Sequence, residues 1–255
     1  MQKHILVTGI NSGLGKYLFE NIPGCLGFNR ETKMEHVKKF NIDTIIHCAY
    51  NKARDINNTN LYNYLYDNVL LTYELTKVPH DKFIYISTVD VYPKKGQLCK
   101  EDETIEVKDI DNIYGISKLM SEQIVINNCK NHLILRPTAL LGPYIKPNAL
   151  TKIMDDDMED FTLSSGSRFN YVLHSYILKF IKLATKDNLR GIYNISSKGN
   201  LSLFEIAEIV GKDCAHCGTY PYWIGKIDNS KVTKIFPNFN KNTKDIIKQF
   251  VKEKK

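Results

Sequence analysis

The chain has 255 residues, 43% of them hydrophobic and 25% charged, an ordinary globular composition that can bury a full core as one large domain or two small ones. The net charge of +7 fits plain solubility and also an anionic ligand such as a nucleotide. No basic run carries interleaved aromatics and no apolar run approaches a membrane span, so neither a nucleic acid nor a membrane is expected as a partner.

The start, Met1-Gln-Lys-His, is too short and polar for a signal peptide, and the six scattered cysteines (Cys25, Cys48, Cys99, Cys129, Cys214, Cys217) fit reduced thiols. A cytoplasmic location is the resulting expectation. Residues 4–8 read as a buried strand. Gly9-Ile10-Asn11-Ser12-Gly13-Leu14-Gly15 follows at once, and then a helical pattern through Tyr17, Leu18, Phe19 and Ile22. Strand, glycine turn and helix in that order suit a dinucleotide pyrophosphate, because the backbone comes close and the helix start offers free N–H groups. A turn that binds nothing is the alternative. Pro23-Gly24 breaks the helix, and residues 25–28 read as a second strand ending at Asn29-Arg30. An acid at that point favours NAD, whereas an Arg favours the 2′-phosphate of NADP. Arg30, with no acid before Glu31, leans to NADP with NAD possible; the alternative is a solvated loop arginine.

Residues 31–40 read as one short helix and 43–49 as the next strand, so the usual βαβ unit between them is trimmed. His47 and Cys48, at that strand's end, fit packing and backbone contact to a cofactor better than a metal, because no further ligands stand nearby. Residues 50–63 read as a loop, 64–77 as a helix, and 82–87 as a strand running into Thr88 and Tyr92-Pro93. After a charged loop, 94–111, Tyr114-Gly-Ile-Ser-Lys118 opens a helix with Ile116, Met120 and Ile124 on one row. Tyr114 and Lys118 then lie one turn apart on one face. An ammonium beside a phenol lowers its pKa, which suits a general acid for a carbonyl being reduced. A plain surface pair is the alternative. Residues 131–135 form a further strand ending in Arg136-Pro137. The alternation from 4 to 137 predicts an α/β fold with a doubly wound parallel sheet.

Beyond Gly142-Pro143 the pattern weakens. The acidic run 155–160 reads as a solvated helix face rather than a metal site. Residues 169–173 and 191–195 read as strands, 175–184 and 244–251 as helices, and Ser202 with Glu205 as a capping box opening a helix over 202–210. Cys214-Ala-His216-Cys217 lacks the ligands of a zinc site and the placement of a redox motif, so incidental thiols are expected.

Taken together these residues resemble the extended short-chain dehydrogenase/reductase family, in its branch of nucleotide-sugar epimerases, dehydratases and 4-ketoreductases. The resemblance rests on Thr8-Gly9-(x)3-Gly13-x-Gly15, Asp43-(x)3-His47-Cys-Ala49, Asn68-(x)3-Thr72, Ser87-Thr88-(x)3-Tyr92-Pro93, Tyr114-(x)3-Lys118 and Arg136-Pro137-(x)4-Gly142-Pro143. Two further matches are Gly191-Ile-Tyr-Asn-Ile-Ser with the helix after it, and Asp228-Asn-Ser-Lys231. The glycine spacing departs from that branch and is similar to the family's other form. The resemblance implies a Rossmann-like domain over 1–143, with 168–196 returning to it, and a small substrate-binding portion from 144–167 and 197–255. It implies Tyr114 as acid/base, Lys118 as the residue that holds the nicotinamide ribose and lowers the Tyr114 pKa, and Thr88 as the group orienting the substrate oxygen. It implies cofactor contacts from Gly9, Asn11, Ser12, Gly13, Leu14, Gly15, Asn29, Arg30, Cys48, Ala49 and Asn68, the last in a structural or relay role, with NADP as cofactor and no metal.

Family dehydratases carry Asp-Glu after the catalytic Thr, where Val89 and Asp90 stand here, so elimination of water is disfavoured. Val91-Tyr-Pro-Lys94 is similar to GDP-fucose synthase, whose epimerising Cys is replaced by Val89. A 4-ketoreductase is therefore the leading expectation, with a 4-epimerase using retained NAD as the alternative. A non-catalytic dinucleotide-binding regulator is the alternative of another class. A nucleotide-sugar substrate and a possible homodimer complete the expectations.

Overall fold

The computed structural model describes residues 2–53, 55–159, 161–214 and 217–254. Six strands, β1 (His4–Thr8), β2 (Leu26–Phe28), β3 (Ile42–His47), β4 (Lys82–Ile86), β5 (His132–Pro137) and β6 (Gly191–Ile195), form one sheet. Every pairing in it is parallel, and its order across the sheet is β2-β1-β3-β4-β5-β6. The chain therefore turns back between β1 and β3, which opens a crevice beyond their C-terminal ends, where α/β sheets bind ligands.

Alternation along the strands explains the layers. Leu6, Ile45, Phe83, Tyr85 and Ile134 enter one apolar cluster, while Val7, Ile46, Ile84, Leu133 and Leu135 enter another. With a side-chain period of two, these are the opposite faces of one sheet, both covered, as parallel sheets require. Between the strands run α1 (Gly13–Asn21), α2 (Met34–Val37), α3 (Leu61–Leu65), α4 (Leu71–Thr76), α5 (Ile113–Asn128), α6 (Ala149–Met154) and α7 (His174–Lys186). After β6 come α8 (Leu203–Val210), α9 (Ser230–Ile235) and α10 (Thr243–Lys254). Leu71, Leu75 and Val125 of α4 and α5 cover one face. Leu18 and Ile181 of α1 and α7 cover the other, in a cluster that continues to Leu203, Phe239 and Phe250.

Several local expectations are corrected. The helix expected over 31–40 is the single turn α2, whose Lys33 start has no side-chain cap. Among the described residues no strand lies outside β2, so the βαβ unit is trimmed as expected. The helix expected over 64–77 is split by a π-turn at Tyr66–Leu70. The strand expected over 169–173 is broken at Asn170. Its amide bonds the Ser197 and Gly199 carbonyls, and its oxygen accepts from Thr138 and the Ser197 amide. The acidic run is a turn after α6 rather than a helix face. Asp155 pairs with Lys254, Asp156 with Lys212 and Asp157 with Lys152, and Asp160 lies outside the described residues. Ser202 and Glu205 do form the capping box of α8.

The apolar row of the Tyr114 helix is the largest correction. Met120 is 47% exposed, and the buried side of α5 carries Ser117, Lys118, Ser121 and Glu122 beside Leu119 and Val125. That side meets polar partners. Glu122 receives a two-pronged bond from Arg136 (3.0 and 2.7 Å) and a short one from Ser87, and Arg136 also donates to the Tyr92 hydroxyl at 2.8 Å. Ser121 donates to the Asn68 carbonyl at 2.6 Å. Among the described residues no helix is long and apolar enough to cross a membrane.

Candidate active site

A cavity of about 370 Å³ opens beyond β1, β3 and β4, within the usual size of small-ligand sites. Its floor is the turn after β1. Gly9 has φ +74°, and a Cβ there would lie 2.9 Å from the Ala49 backbone. A Cβ on Gly15 would collide with the Gly9 carbonyl, so α1 seats on the turn only because both positions are bare. The Gly13 amide donates to the Tyr144 carbonyl at 2.8 Å, which leaves the Leu14 and Gly15 amides of the first turn for an anion.

The wall is locked by a chain of hydrogen bonds whose directions can be assigned. Thr8 Oγ1 accepts from the Cys48 and Ala49 amides, both at 3.0 Å, so its one proton goes to His47 Nδ1 at 2.7 Å. His47 therefore donates from Nε2 to Thr72 at 3.0 Å, and Thr72 donates to Ser121 at 3.3 Å. Burial pushes the His47 pKa down to about 3, which keeps the ring neutral in this role. His47 is thus a packing and hydrogen-bonding residue, as expected, and joins β1 and β3 to α4 and α5.

The reactive end is built by the turn after β4 and the start of α5. Thr88 caps the short turn Val89–Val91, accepting from the Asp90 amide at 3.2 Å. Asn112 caps α5 through the Gly115 amide at 2.6 Å. A Cβ on Gly115 would collide with the Asp90 carbonyl, so glycine after Tyr114 is what lets α5 press against the Thr88 turn. Tyr114 and Thr88 then line the same cavity. Lys118 is buried, donates to the Ile86 carbonyl at 2.8 Å and lies over the Tyr85 ring at 4.8 Å.

Here the electrostatics depart from expectation. The Tyr114 pKa lies well above the ordinary phenol value, because burial outweighs everything else and Tyr50 and Asp90 add to it; the Thr88 hydrogen bond opposes the rise. Lys118 does not bring the Tyr114 pKa below its ordinary value, because burial outweighs an amine that points to Ile86 and sits 6.0 Å from the Tyr114 ring centre. Burial also brings Lys118 down to about 8, against the pull of Cys48 and Glu122.

Of the expected residues, Gly9, Ser12, Gly13, Leu14, Gly15, Cys48, Ala49, Thr88, Tyr114 and Lys118 line this one cavity. The Cys48 thiol is pushed up to about 12 by burial and is no nucleophile. Asn11, Asn29, Arg30 and Asn68 do not line it. Asn11 is exposed. The Asn29 side chain accepts from the Glu31 amide and the Thr32 hydroxyl, so it holds its own turn. Asn68 bonds both backbone groups of Asn51, at 2.7 and 3.1 Å, which is a structural role. Arg30, with a 77% exposed side chain, pairs with Asp67 at 2.6 Å. The acid beside it is thus Asp67, from the π-turn, and not Glu31.

Tyr50, Asp90, Asn170, Tyr222 and Trp223 also line the cavity. Tyr50 packs on Tyr114 with ring centres 5.7 Å apart, and Tyr222 stacks on Phe169 at 5.0 Å. These residues follow no local spacing; only Asp90, two places after Thr88, carried a readable signal. Cys214 and Cys217 are free thiols 2.7 Å apart, and His216 lies outside the described residues. No group of three metal-ligating side chains occurs among the described residues.

A curated relative, "Methionine adenosyltransferase 2 subunit beta" of Danio rerio, is 23% identical, covering 80% of this chain and 72% of that protein. Among solved structures, the UDP-glucuronic acid 4-epimerase of Bacillus cereus, in complex with UDP-glucuronic acid and NAD, superposes with a TM-score of 0.77 at 19% identity over 100% of both chains. The dTDP-4-dehydrorhamnose reductase of Bacillus anthracis, in complex with NADP, does so with a TM-score of 0.78 at 20% identity over 99% of this chain and 100% of its own. These likenesses share the α/β fold seen here. Residues 27–164, more than half the chain, match the model of the NAD dependent epimerase/dehydratase family, and the protein belongs to that family.

Proposed function

We propose that the protein reduces a keto group on a nucleotide-activated sugar, of the 4-keto-6-deoxy type, with NADPH. The observation that carries this reading is the meeting of Thr88, Tyr114 and Lys118 in the cavity floored by the Gly9–Gly15 turn. The bound cofactor supplies a hydride to the carbonyl carbon. Leu14 and Gly15 amides hold its phosphates and Lys118 its ribose. As the carbonyl oxygen gains charge, Tyr114 gives it a proton, and Thr88 orients it. Residues 144–167 and 197–255 form the substrate side, around Tyr222 and Trp223, against the cofactor-binding part of 1–143 and 168–196.

The test is to mix the protein with NADPH and a panel of 4-keto-6-deoxy nucleotide sugars and to follow reduced nicotinamide by absorbance. Substrate-dependent oxidation of NADPH is expected. NAD carried through purification, with sugar interconversion and no net NADPH use, would instead make it a 4-epimerase. A binding-only subunit is the further alternative, favoured by one observation: the Danio rerio relative is by name a subunit of a methionine adenosyltransferase. It requires that NADPH binds and that no sugar turns over.

The preference for NADP rests on positive charge at the cavity mouth. Lys146 lines the cavity, and its pKa is lowered by burial and then by repulsion from Lys52 and Arg30. Asp67 opposes this by pairing with Arg30. Arg30→Ala is expected to raise the KM for NADPH about tenfold and that for NADH little, the loss of one charge-assisted contact to phosphate. Equal effects in steady-state kinetics would remove the argument for NADP. A homodimer through the α5 side is proposed from the exposed Tyr62, Leu70, Tyr73 and Met120.

A further inference from the structure

The Asp90 carboxyl is a titratable group in the cavity wall for which the chemistry above has no task. It follows Thr88 by two residues, and its contacts are specific. Thr88 Oγ1 donates to one carboxyl oxygen at 3.0 Å, and the Tyr222 hydroxyl donates to the other at 2.9 Å. The Asp90 amide in turn donates to Thr88 Oγ1. A hydroxyl carries one proton. While the carboxylate takes it, Thr88 meets any other oxygen only as an acceptor. It then has nothing to offer an oxygen that is gaining negative charge.

We propose that Asp90 is the positioning residue that sets the direction of the Thr88 hydroxyl. Ionised, it keeps the Thr88 proton; protonated, it donates to Thr88 and turns that proton toward the carbonyl oxygen of the substrate. This rests on the carbonyl-reduction reading of the site. Burial raises Asp90 above the usual carboxyl range, while its hydrogen bonds to Tyr222 and Thr88 and the charge of Lys94 draw it down and Asp111 pushes it up. Lys94 and Asp111 are themselves paired at 3.1 Å. Tyr114 from α5 and Tyr222 from the 221–225 segment are the other titratable groups that face it. The group therefore titrates in a site where its charge decides one donor to the oxyanion.

The first test is the pH dependence of kcat. For the wild type, kcat is expected to fall by about a hundredfold as pH rises through the Asp90 titration, the usual effect of losing one oxyanion donor. In Asp90→Asn the amide donates to Thr88 at every pH, so the fall should shrink to less than about twofold. An Asp90→Asn profile with the wild-type fall would overturn the proposal, and a merely structural Asp90 would change the height of the profile and not its shape. The second test needs no substrate. In NADP-bound protein with carboxyl-labelled aspartate, the Asp90 resonance is followed by carbon NMR across pH. Thr88→Val and Tyr222→Phe each remove a donor to the carboxylate, so each should move the Asp90 midpoint upward. No movement in either variant overturns the proposal. A wild type that turns over no keto sugar would count against the reductase reading alone, because the carboxyl titration still decides the inference.

Discussion

Tyr114→Phe is expected to lower kcat by about 100- to 10,000-fold, the usual contribution of a positioned general acid. Its Kd for NADPH, read by fluorescence titration, should change less than about twofold, because the ring stays and only a hydroxyl is lost. The raised pKa of Tyr114 does not conflict with this role. A phenol that holds its proton firmly is fully protonated at neutral pH and ready to give, and the alkoxide formed by hydride addition is far more basic than any phenolate. Lys118 keeps its charge below about 8 and favours the phenolate left behind; that help fades as pH rises past this value. The Asn112 cap and the bare Gly115 hold the residue in place, so the substitution should leave the local backbone intact. Wild-type turnover in the variant would show that another group delivers the proton.

Glu122→Ala is expected to destabilise the fold by about 3–5 kcal/mol, the usual effect of stranding one member of a buried ion pair. Glu122 is fully buried and the Arg136 side chain is 4% exposed, so water cannot take over the lost carboxylate. The guanidinium would keep only the Tyr92 hydroxyl, and Ser87 would lose its acceptor. At about 2–4 °C per kcal/mol for a chain of this size, the melting temperature should fall by roughly 10 °C. Replacing both partners by apolar residues of similar volume should cost much less, because no charge is then left behind. A thermal melt of the single variant within about 2 °C of wild type would mean that the pair adds nothing. Activity should drop with stability, since Glu122 lies one turn beyond Lys118.

The parts of the fold legible in the sequence are those that obey a short-range rule. The strands β1, β3, β4 and β6 are apolar runs bounded by turns, and the Ser202–Glu205 box marks its helix by spacing alone. The glycine turn and the Tyr114–Lys118 pair are equally local, and both line the cavity. What escaped depends on partners far along the chain. Asp67 meets Arg30 across 37 residues, and Tyr222 reaches Asp90 across 132. No window around either residue contains its partner. The Tyr114 pKa departs from expectation for a like reason: spacing gives the distance to Lys118 along the helix, but the burial that raises the phenol depends on the whole fold around it. The π-turn has no pattern of its own and yet supplies the acid that pairs with Arg30.

A helix held by grease can roll a few degrees and keep most of its contact area. α5 does not have that freedom. The bonds from Ser121, Lys118 and Glu122 to the Asn68 carbonyl, the Ile86 carbonyl and Arg136 act in three different directions. Each is short-ranged and angular, so a small roll or slide weakens all of them together. The helix therefore has one permitted register, with sharp edges, where an apolar seam would allow a continuum. The Tyr114 side chain is therefore placed from behind, by a set of bonds in which Ser121, Glu122 and Arg136 do not line the cavity at all.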